Sequence, residues 1–232
     1  MYSQQGRRFR QFLLAIVLMV MLLPVWAASL SQQETSAGLK EALIKSAEAA
    51  VKQLGQENGF LANDKVKIPL PPTLARAESL MRAVGMGKQA DDLVVSMNRA
   101  AEAAVPETQK LLVDAVKRMT LDDAKAILTG GDDAATNYFR QQTESTLSTK
   151  LLPIVKKTTD RVRLAQRYDE LAGKASRFGL LSGDDASIER YVTQKTLDGL
   201  YTVIAEQEKA IRHDPLGYGS KLIGKVFGSV LN

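Results

Sequence analysis

The fold is decided by the stretch Gly130-Gly131-Asp132-Asp133-Ala134-Ala135-Thr136-Asn137-Tyr138-Phe139. Glycine just past a helix end and aspartate at the next helix start are the usual boundary between two helices. The two carboxylates can accept hydrogen bonds from free backbone N–H groups and meet the positive end of the helix dipole. We therefore predict that the longest helical run starts after Asp133 and extends towards Arg177, kinked or divided only at Pro153.

Helical periodicity continues on both sides of this stretch. Apolar residues recur at three- and four-residue spacing, which is typical of amphipathic helices. The predicted helices cover residues 31–55, 73–84, 88–104, 106–119, 121–129 and 186–212, with a short last one at 216–230. Thr120-Leu121-Asp122-Asp123 resembles a capping box with Asp in place of Glu. The sequence predicts an all-α fold, a single compact multi-helix domain over residues 28–232.

One segment, residues 63–72, differs from the rest. It contains Val66-Lys67-Ile68-Pro69-Leu70-Pro71-Pro72, and its prolines exclude a helix, so it must be extended. We expect this strap to lie across the helices with Val66, Ile68 and Leu70 facing inward. An ordered connector is the preferred interpretation, and a peptide-like recognition surface is the alternative.

The first residues predict an export signal. Arg7, Arg8 and Arg10 precede an apolar run, residues 12–23, which is followed by Pro24-Val25-Trp26-Ala27-Ala28. A basic start, a short apolar run and small residues at its end are the signature of a secretory signal peptide. We predict a Sec-type signal peptide over residues 1–27, cleavage after Ala27 and a periplasmic location. An uncleaved anchor is the alternative, although the apolar run is shorter than the roughly 20 residues that span a bilayer.

Charge and cysteine content agree with an exported protein. The 232-residue chain has 31 basic and 26 acidic residues, and removing the three arginines of the signal leaves 28 basic residues against those 26. A nearly balanced surface gives no reason to expect nucleic acid as a partner. The chain has no cysteine, so it contains no disulfide and its core alone must stabilise it.

Four Asp-Asp pairs are the candidates for a metal site: Asp91-Asp92, Asp122-Asp123, Asp132-Asp133 and Asp184-Asp185. Paired carboxylates can bind calcium or magnesium. Three pairs are followed by alanine, where helix capping accounts for them. His213 is the sole histidine, so no multi-histidine zinc site can form, and a position near the last carbonyls of a helix is expected for it. We predict no metal, no cofactor and no catalytic residues from known motifs.

Polar residues on helix faces that packing should bury form the candidate site. Asn98 and Glu102 are four residues apart and share a face. If three segments meet, Arg140 and Lys195 would oppose Glu102 and Asp198, as either a satisfied network between helices or a pocket for an anionic or zwitterionic ligand. The full set comprises Asn98, Glu102, Thr136, Asn137, Arg140, Tyr191, Thr193, Lys195 and Asp198.

Residues 216–230 predict a short amphipathic helix with an apolar face and two lysines elsewhere. Such a helix can lie on a membrane surface, but docking on its own domain is the preferred prediction. The apolar face comprises Leu222, Ile223, Val226, Phe227, Val230 and Leu231.

Several short motifs resemble those of one bacterial family, the domain of unknown function 4197. They are Asn58-Gly59-Phe60, Val66-Lys67-Ile68-Pro69-Leu70-Pro71, Met97-Asn98-Arg99-Ala100-Ala101-Glu102, Ala134-Ala135-Thr136-Asn137-Tyr138-Phe139, and Tyr191-Val192-Thr193 followed by Leu197-Asp198-Gly199-Leu200. The resemblance extends over about residues 38–227. It implies an exported, helical, single-domain protein, and it carries no catalytic residues over to this chain.

Three functional hypotheses remain open from the sequence. The preferred one is a non-enzymatic periplasmic module that binds a small ligand or an envelope protein through the polar cluster or the strap. The second is an enzyme of unfamiliar type, with Glu102 or Asp198 as a base and Arg140 binding an anion. The third is association with the envelope through residues 216–230.

Overall fold

The computed structural model describes residues 31–161, 164–177, 187–215, 217, 223 and 226. It confirms the all-α class, since none of these described residues forms a β-strand. The helices belong to one compact unit, Gln32–Asn232. They are α1 (Gln32–Leu54), α2 (Pro72–Ala83), α3 (Gly87–Ala104), a 3₁₀ turn (Val105–Thr108), α4 (Gln109–Arg118), α5 (Leu121–Thr129), α6 (Ala134–Arg161), α7 (Leu164–Arg177) and α8 (Ile188–His213).

The core forms where the long helices α6 and α8 lie against each other. Helix α1 packs on α8, and α3 packs on α6 and α7. The largest buried side chains include Phe60, Phe139 and Tyr201, which come from a loop, from α6 and from α8 respectively. Burying aromatic side chains contributes strongly to core stability because each removes a large apolar area from water.

Helix α6 runs through Pro153 as one helix, so of the two predicted effects of this proline, a kink or a division, the division is wrong. An interior proline removes one backbone hydrogen bond and crowds the preceding turn. In this helix the ring lies on the exposed face, while Leu151 and Val155 on either side are fully buried. Burial of the opposite face therefore offsets the local cost. Helix α6 ends at Arg161, and α7 begins at Leu164.

The capping box before α5 is confirmed. The Thr120 hydroxyl accepts a hydrogen bond from the Asp123 N–H, and the Asp123 carboxylate accepts one from the Thr120 N–H. The start of α6 differs from the prediction. Asp132 and Asp133 are exposed before it, and the N–H groups of Ala135 and Thr136 donate to Glu208 of α8 instead.

Several predictions fall outside the described residues. They are the signal peptide over residues 1–27, the loop and cap containing Asp184-Asp185, and most of the predicted helix 216–230. Within that last segment Ile223 and Val226 are described, and both are fully buried. In the part of the chain that the structure describes, the helices are too short or too polar to cross a membrane.

Candidate functional site

Asn98 does not face an open pocket; its side chain pairs with the backbone of the strap. It is fully buried on α3. Its Oδ1 accepts from the Ile68 N–H at 2.8 Å, and its Nδ2 donates to the Ile68 carbonyl at 2.9 Å. The amide thereby imitates a neighbouring strand for an extended segment that would otherwise bury unpaired backbone groups. Val66, Ile68 and Leu70 are buried, whereas Lys67 and Pro69 are exposed.

Glu102, one turn after Asn98, holds the loop that precedes the strap. Its Oε1 accepts from the N–H groups of Phe60 and Leu61, each at 3.1 Å. Its Oε2 lies 2.6 Å from Arg99 Nη1. Arg99 also donates to the side chain of Asn58 at 2.9 Å. Asn58 has a positive φ of 67°, so this loop turns sharply at a residue type that tolerates the left-handed region.

Tyr191 on α8 contacts the other end of the strap. Its hydroxyl faces two acceptors, the Pro69 carbonyl at 3.1 Å and the Leu70 carbonyl at 3.3 Å, and it donates to both. Burial raises the pKa of the Tyr191 phenol above its ordinary value. Thr193 is buried, and its hydroxyl donates a hydrogen bond to the Glu189 carbonyl on the preceding turn of α8. Asn98, Glu102 and Tyr191 therefore hold residues 58–70 against α3 and α8.

Arg140, Lys195 and Asp198 form a separate, half-exposed network between α6 and α8. Arg140 Nη1 lies 3.5 Å from Glu144 and 3.8 Å from Asp198, and Lys195 lies 3.4 Å from Asp198. The Arg140 guanidinium also stacks 4.5 Å from the ring centroid of Tyr201. The expected opposition of Arg140 and Lys195 to Asp198 is therefore present, whereas Glu102 pairs with Arg99.

Tyr201, beneath this network, is almost completely buried. Its hydroxyl lies 2.9 Å from that of Thr143. Burial raises the pKa of Tyr201 to about 12, because the phenolate would lose its hydration. At neutral pH the phenol is therefore a neutral hydrogen-bonding group of the core.

A buried carboxylate that the sequence reasoning missed, Glu208, joins three helices. It accepts from the N–H groups of Ala135 and Thr136 and from the Thr136 hydroxyl, at 2.8–2.9 Å. It also pairs with Arg212 at 2.8 Å, and Arg212 donates to the Ile127 carbonyl at the end of α5. The sequence signal for burial of Glu208 is its position four residues after Ile204, which places both residues on the same buried face of α8.

The remaining candidates lie apart from these groups. Asn137 is exposed on the first turn of α6, and His213 is exposed as the last residue of α8. Asp91 and Asp92 lie inside α3, where Asp91 pairs with Arg82 at 2.7 Å. Among the described residues, no three acidic or histidine side chains come close enough to hold a metal ion.

A polar cleft between α3 and α7, absent from the sequence reasoning, has a volume of about 230 Å³. Its described lining comprises Gln89, Asp92, Gln166, Arg167 and Glu170. Asp92 lies 3.6 Å from Arg167, and the Gln166 amide donates to Glu170 at 2.8 Å. We refer to this site as the α3–α7 cleft.

Gln89 is the distinctive residue of the α3–α7 cleft. Its Oε1 is buried, and across the described ranges of the chain it is the one buried side-chain polar atom without a hydrogen-bond partner. Buried polar groups in native proteins nearly always have a partner, so the unpaired Gln89 oxygen requires a physical explanation. Sequence patterning could not reveal it, because the burial of one side-chain atom depends on how the helices pack.

The described residues form an all-helical domain with a small polar cleft between α3 and α7. The chain belongs to the family described as "Protein of unknown function (DUF4197)", whose model matches residues 29–228. The resemblance drawn from the short motifs is thereby confirmed. Comparisons with curated proteins and with solved structures gave no match to the chain.

Proposed function

We propose that this chain is an exported, non-enzymatic binding protein of the periplasm that holds a small polar ligand in the α3–α7 cleft. The observation that carries the proposal is the buried Oε1 of Gln89, which has no partner among the described residues. An unsatisfied buried polar group costs about 1–3 kcal/mol. Gln89 lines the cleft, and a rotation of its side chain that brings Oε1 to a hydrogen-bond donor of a ligand removes this cost.

The positions of the candidate bases favour binding over catalysis. A general base must reach a substrate proton with a free lone pair. Glu102 is buried, and its two oxygens accept from two backbone N–H groups and pair with Arg99. These bonds assign Glu102 to holding a loop. Asp198 is half-exposed and pairs with Arg140 and Lys195. These described contacts form a network at the protein surface and do not enclose a substrate.

The periplasmic address rests on the amino-terminal sequence. Arg7, Arg8 and Arg10, the apolar residues 12–23 and the small residues around Ala27 support export and cleavage. The intact mass of the protein recovered from periplasm tests this directly. We expect a chain that starts at Ala28, and a mass that retains residues 1–27 contradicts cleavage.

Burial at the carboxyl-terminal end supports docking on the domain over membrane association. Ile223 and Val226 belong to the apolar face that an interfacial helix would insert into lipid, and both are fully buried in the protein. The corresponding experiment deletes residues 216–232. We expect the membrane-bound fraction to be the same with and without the deletion.

Native mass spectrometry of the mature protein purified from periplasm tests ligand binding. We expect a fraction of the protein molecules to carry extra mass from a bound ligand, and this extra mass should disappear on denaturation. Gln89→Leu removes the acceptor and should abolish the extra mass. Gln141→Leu, at an exposed position on α6, is the matched control and should retain it. A wild-type chain without extra mass, or a Gln89→Leu chain that keeps it, contradicts a ligand in this cleft.

A further inference from the structure

We infer that the exposed edge of α2 is a docking surface for an anionic phospholipid membrane. This surface, which we call the α2 ridge, comprises Arg76, Leu80 and Val84. The inference goes beyond the proposed function, because it adds a partner that involves neither the α3–α7 cleft nor its ligand. It stands on the geometry of the ridge, on its exposed apolar side chains and on the cations beside them.

The geometry of α2 places the three residues of the ridge in one row. The helix buries a narrow face made of Leu74, Ala77 and Met81. The residues of the ridge follow each other at intervals of four, so their side chains lie one above another on successive turns. All three are exposed, and the row therefore faces solvent.

The two apolar members of the ridge are exposed to an extent that is uncommon in this chain. Leu80 and Val84 are 55% and 48% exposed, and they are two of the four large hydrophobic residues that are exposed in the described part of the chain. Scattered single residues of this kind are ordinary, whereas neighbours on one ridge form a patch. Removing such a patch from water is favourable, so a partner that covers it gains free energy.

The charges beside the patch indicate the kind of partner. Arg76 and Lys88 are exposed, and neither makes an ion pair with a described residue. The acidic residues closest to the ridge in the sequence, Glu78 and Asp91, both pair with Arg82, at 2.8 and 2.7 Å. Cations without a partner thus flank the apolar pair, while the neighbouring carboxylates are already neutralised. A negatively charged partner is therefore favoured.

A lipid surface fits the ridge better than an acidic protein does. Three side chains cannot cover the roughly 800 Å² that each partner buries in a stable protein–protein interface. A bilayer needs no matching shape, since apolar side chains enter the boundary between headgroups and acyl chains while basic groups contact the lipid phosphates. The stem of Arg76 can lie along the apolar row and bring its guanidinium to those phosphates.

Co-sedimentation of the mature protein with lipid vesicles tests the inference. The vesicles contain either phosphatidylcholine alone or an equal mixture of phosphatidylcholine and phosphatidylglycerol. We expect the partition coefficient to be at least about fivefold higher for the mixed vesicles, since each cation near an anionic surface contributes a factor of about five. High salt should reduce this difference, because it screens exposed charges.

Matched substitutions connect the binding to named side chains. Leu80→Ser should weaken partition into the mixed vesicles about fivefold or more. Its control is Leu121→Ser on α5, because Leu121 is similarly exposed, at 51%, and should make no difference. Arg76→Gln should weaken partition into the mixed vesicles about fivefold and leave partition into the neutral vesicles unchanged. Lys110→Gln, at an exposed position on α4, is the control for that loss of charge. Far-ultraviolet circular dichroism confirms that each variant is folded.

Three outcomes overturn the inference. A wild-type protein that does not sediment with the mixed vesicles has no such surface. Equal losses from Leu80→Ser and Leu121→Ser show that any exposed leucine acts in the same way. If the vesicles do not bind while Leu80→Ser converts a dimer into a monomer in sedimentation velocity, the ridge contacts a second copy of the chain and the lipid assignment fails. Retained mass that depends on Gln89 tests the cleft separately, so failure at the α2 ridge leaves the proposed function intact.

Discussion

Gly199, on α8, shows at the scale of one residue how the loop before the strap reaches the core. A Cβ at this position would lie 2.6 Å from Phe60 Cε1 and 3.2 Å from the Cβ of Val66. Real Cβ atoms essentially never approach another atom so closely. The Phe60 ring therefore occupies the space that a side chain at position 199 would fill, and Phe60 is fully buried there.

We expect Gly199→Ala to destabilise the protein by about 1–2 kcal/mol. Overpacking a core typically costs about 1–3 kcal/mol, and the better helix propensity of alanine offsets up to about 1 kcal/mol of that. Gly173→Ala on α7 is the control, because a Cβ there meets nothing within 4 Å. That variant should be neutral or more stable by up to about 1 kcal/mol. Urea unfolding measures both, and equal stabilisation of the two variants would show that Phe60 does not fill this space.

Asn98 and Glu102 show what can be predicted from the sequence at this scale. Their four-residue spacing places them on one face of α3, and both are buried, at 0% and 5% exposure. Their partners could not be predicted, because these are backbone groups of Ile68, Phe60 and Leu61, at least 30 residues earlier in the chain. A helix pattern gives the direction of a side chain, but contacts at long range depend on how the loop packs.

At the scale of one element, the start of α5 was predictable because its determinants are local. Thr120 and Asp123 lie in four consecutive residues and bond reciprocally. The Thr120 N–H and hydroxyl, which both donate to the Asp123 carboxylate, hold the pKa of that carboxyl below its usual value. The start of α6 was not predictable in the same way, since its cap, Glu208, lies more than 70 residues further along the chain.

We expect Thr120→Ala to destabilise the protein by about 1 kcal/mol, as loss of an N-cap side chain usually does. Asp123→Asn should also destabilise it at pH 7, with a pH dependence that follows from the lowered pKa. A carboxyl whose folded pKa is depressed contributes stability above its unfolded pKa of about 4, and this contribution is lost as the pH falls through the folded value. The stability difference between wild type and Asp123→Asn should therefore shrink below about pH 4.

Asp122→Asn is the control for the capping box. Asp122 occupies the same first turn of α5, so it has a similar relation to the helix dipole, but it is not a member of the box. Urea unfolding at pH 7 and at pH 3 compares the variants. Equal effects of Asp122→Asn and Asp123→Asn at pH 7 would mean that the dipole, and not the reciprocal hydrogen bonds, stabilises this helix start.

At the scale of the whole molecule, one buried ion pair connects helices that are distant in the sequence. Glu208 on α8 caps α6, and its partner Arg212 donates to the Ile127 carbonyl near the end of α5. Both side chains are nearly buried, at 3% and 11% exposure. The all-α class followed from periodicity alone, but the relative placement of these helices depends on such long-range bonds, which leave almost no trace in local sequence.

Removing one member of the Glu208–Arg212 pair should therefore affect the whole fold. We expect Glu208→Leu to destabilise the protein by about 3–5 kcal/mol, since it removes the carboxylate that pairs with the Arg212 guanidinium and accepts from the N–H groups at the start of α6. Glu206→Leu is the matched control on the same helix. Glu206 pairs with Lys65 at the surface, so its loss should cost at most about 1 kcal/mol.

The double variant Glu208→Leu/Arg212→Leu separates the two contributions to that loss. Replacing both members of a buried ion pair by apolar residues also removes the cation that has lost its carboxylate, so this variant should be more stable than Glu208→Leu. It should remain less stable than wild type, because Ala135 and Thr136 would still lack the carboxylate that caps α6. Urea unfolding followed by circular dichroism gives the three free energies. A double variant as stable as wild type would show that Glu208 serves only to neutralise Arg212 and that the bond between α8 and α6 contributes nothing.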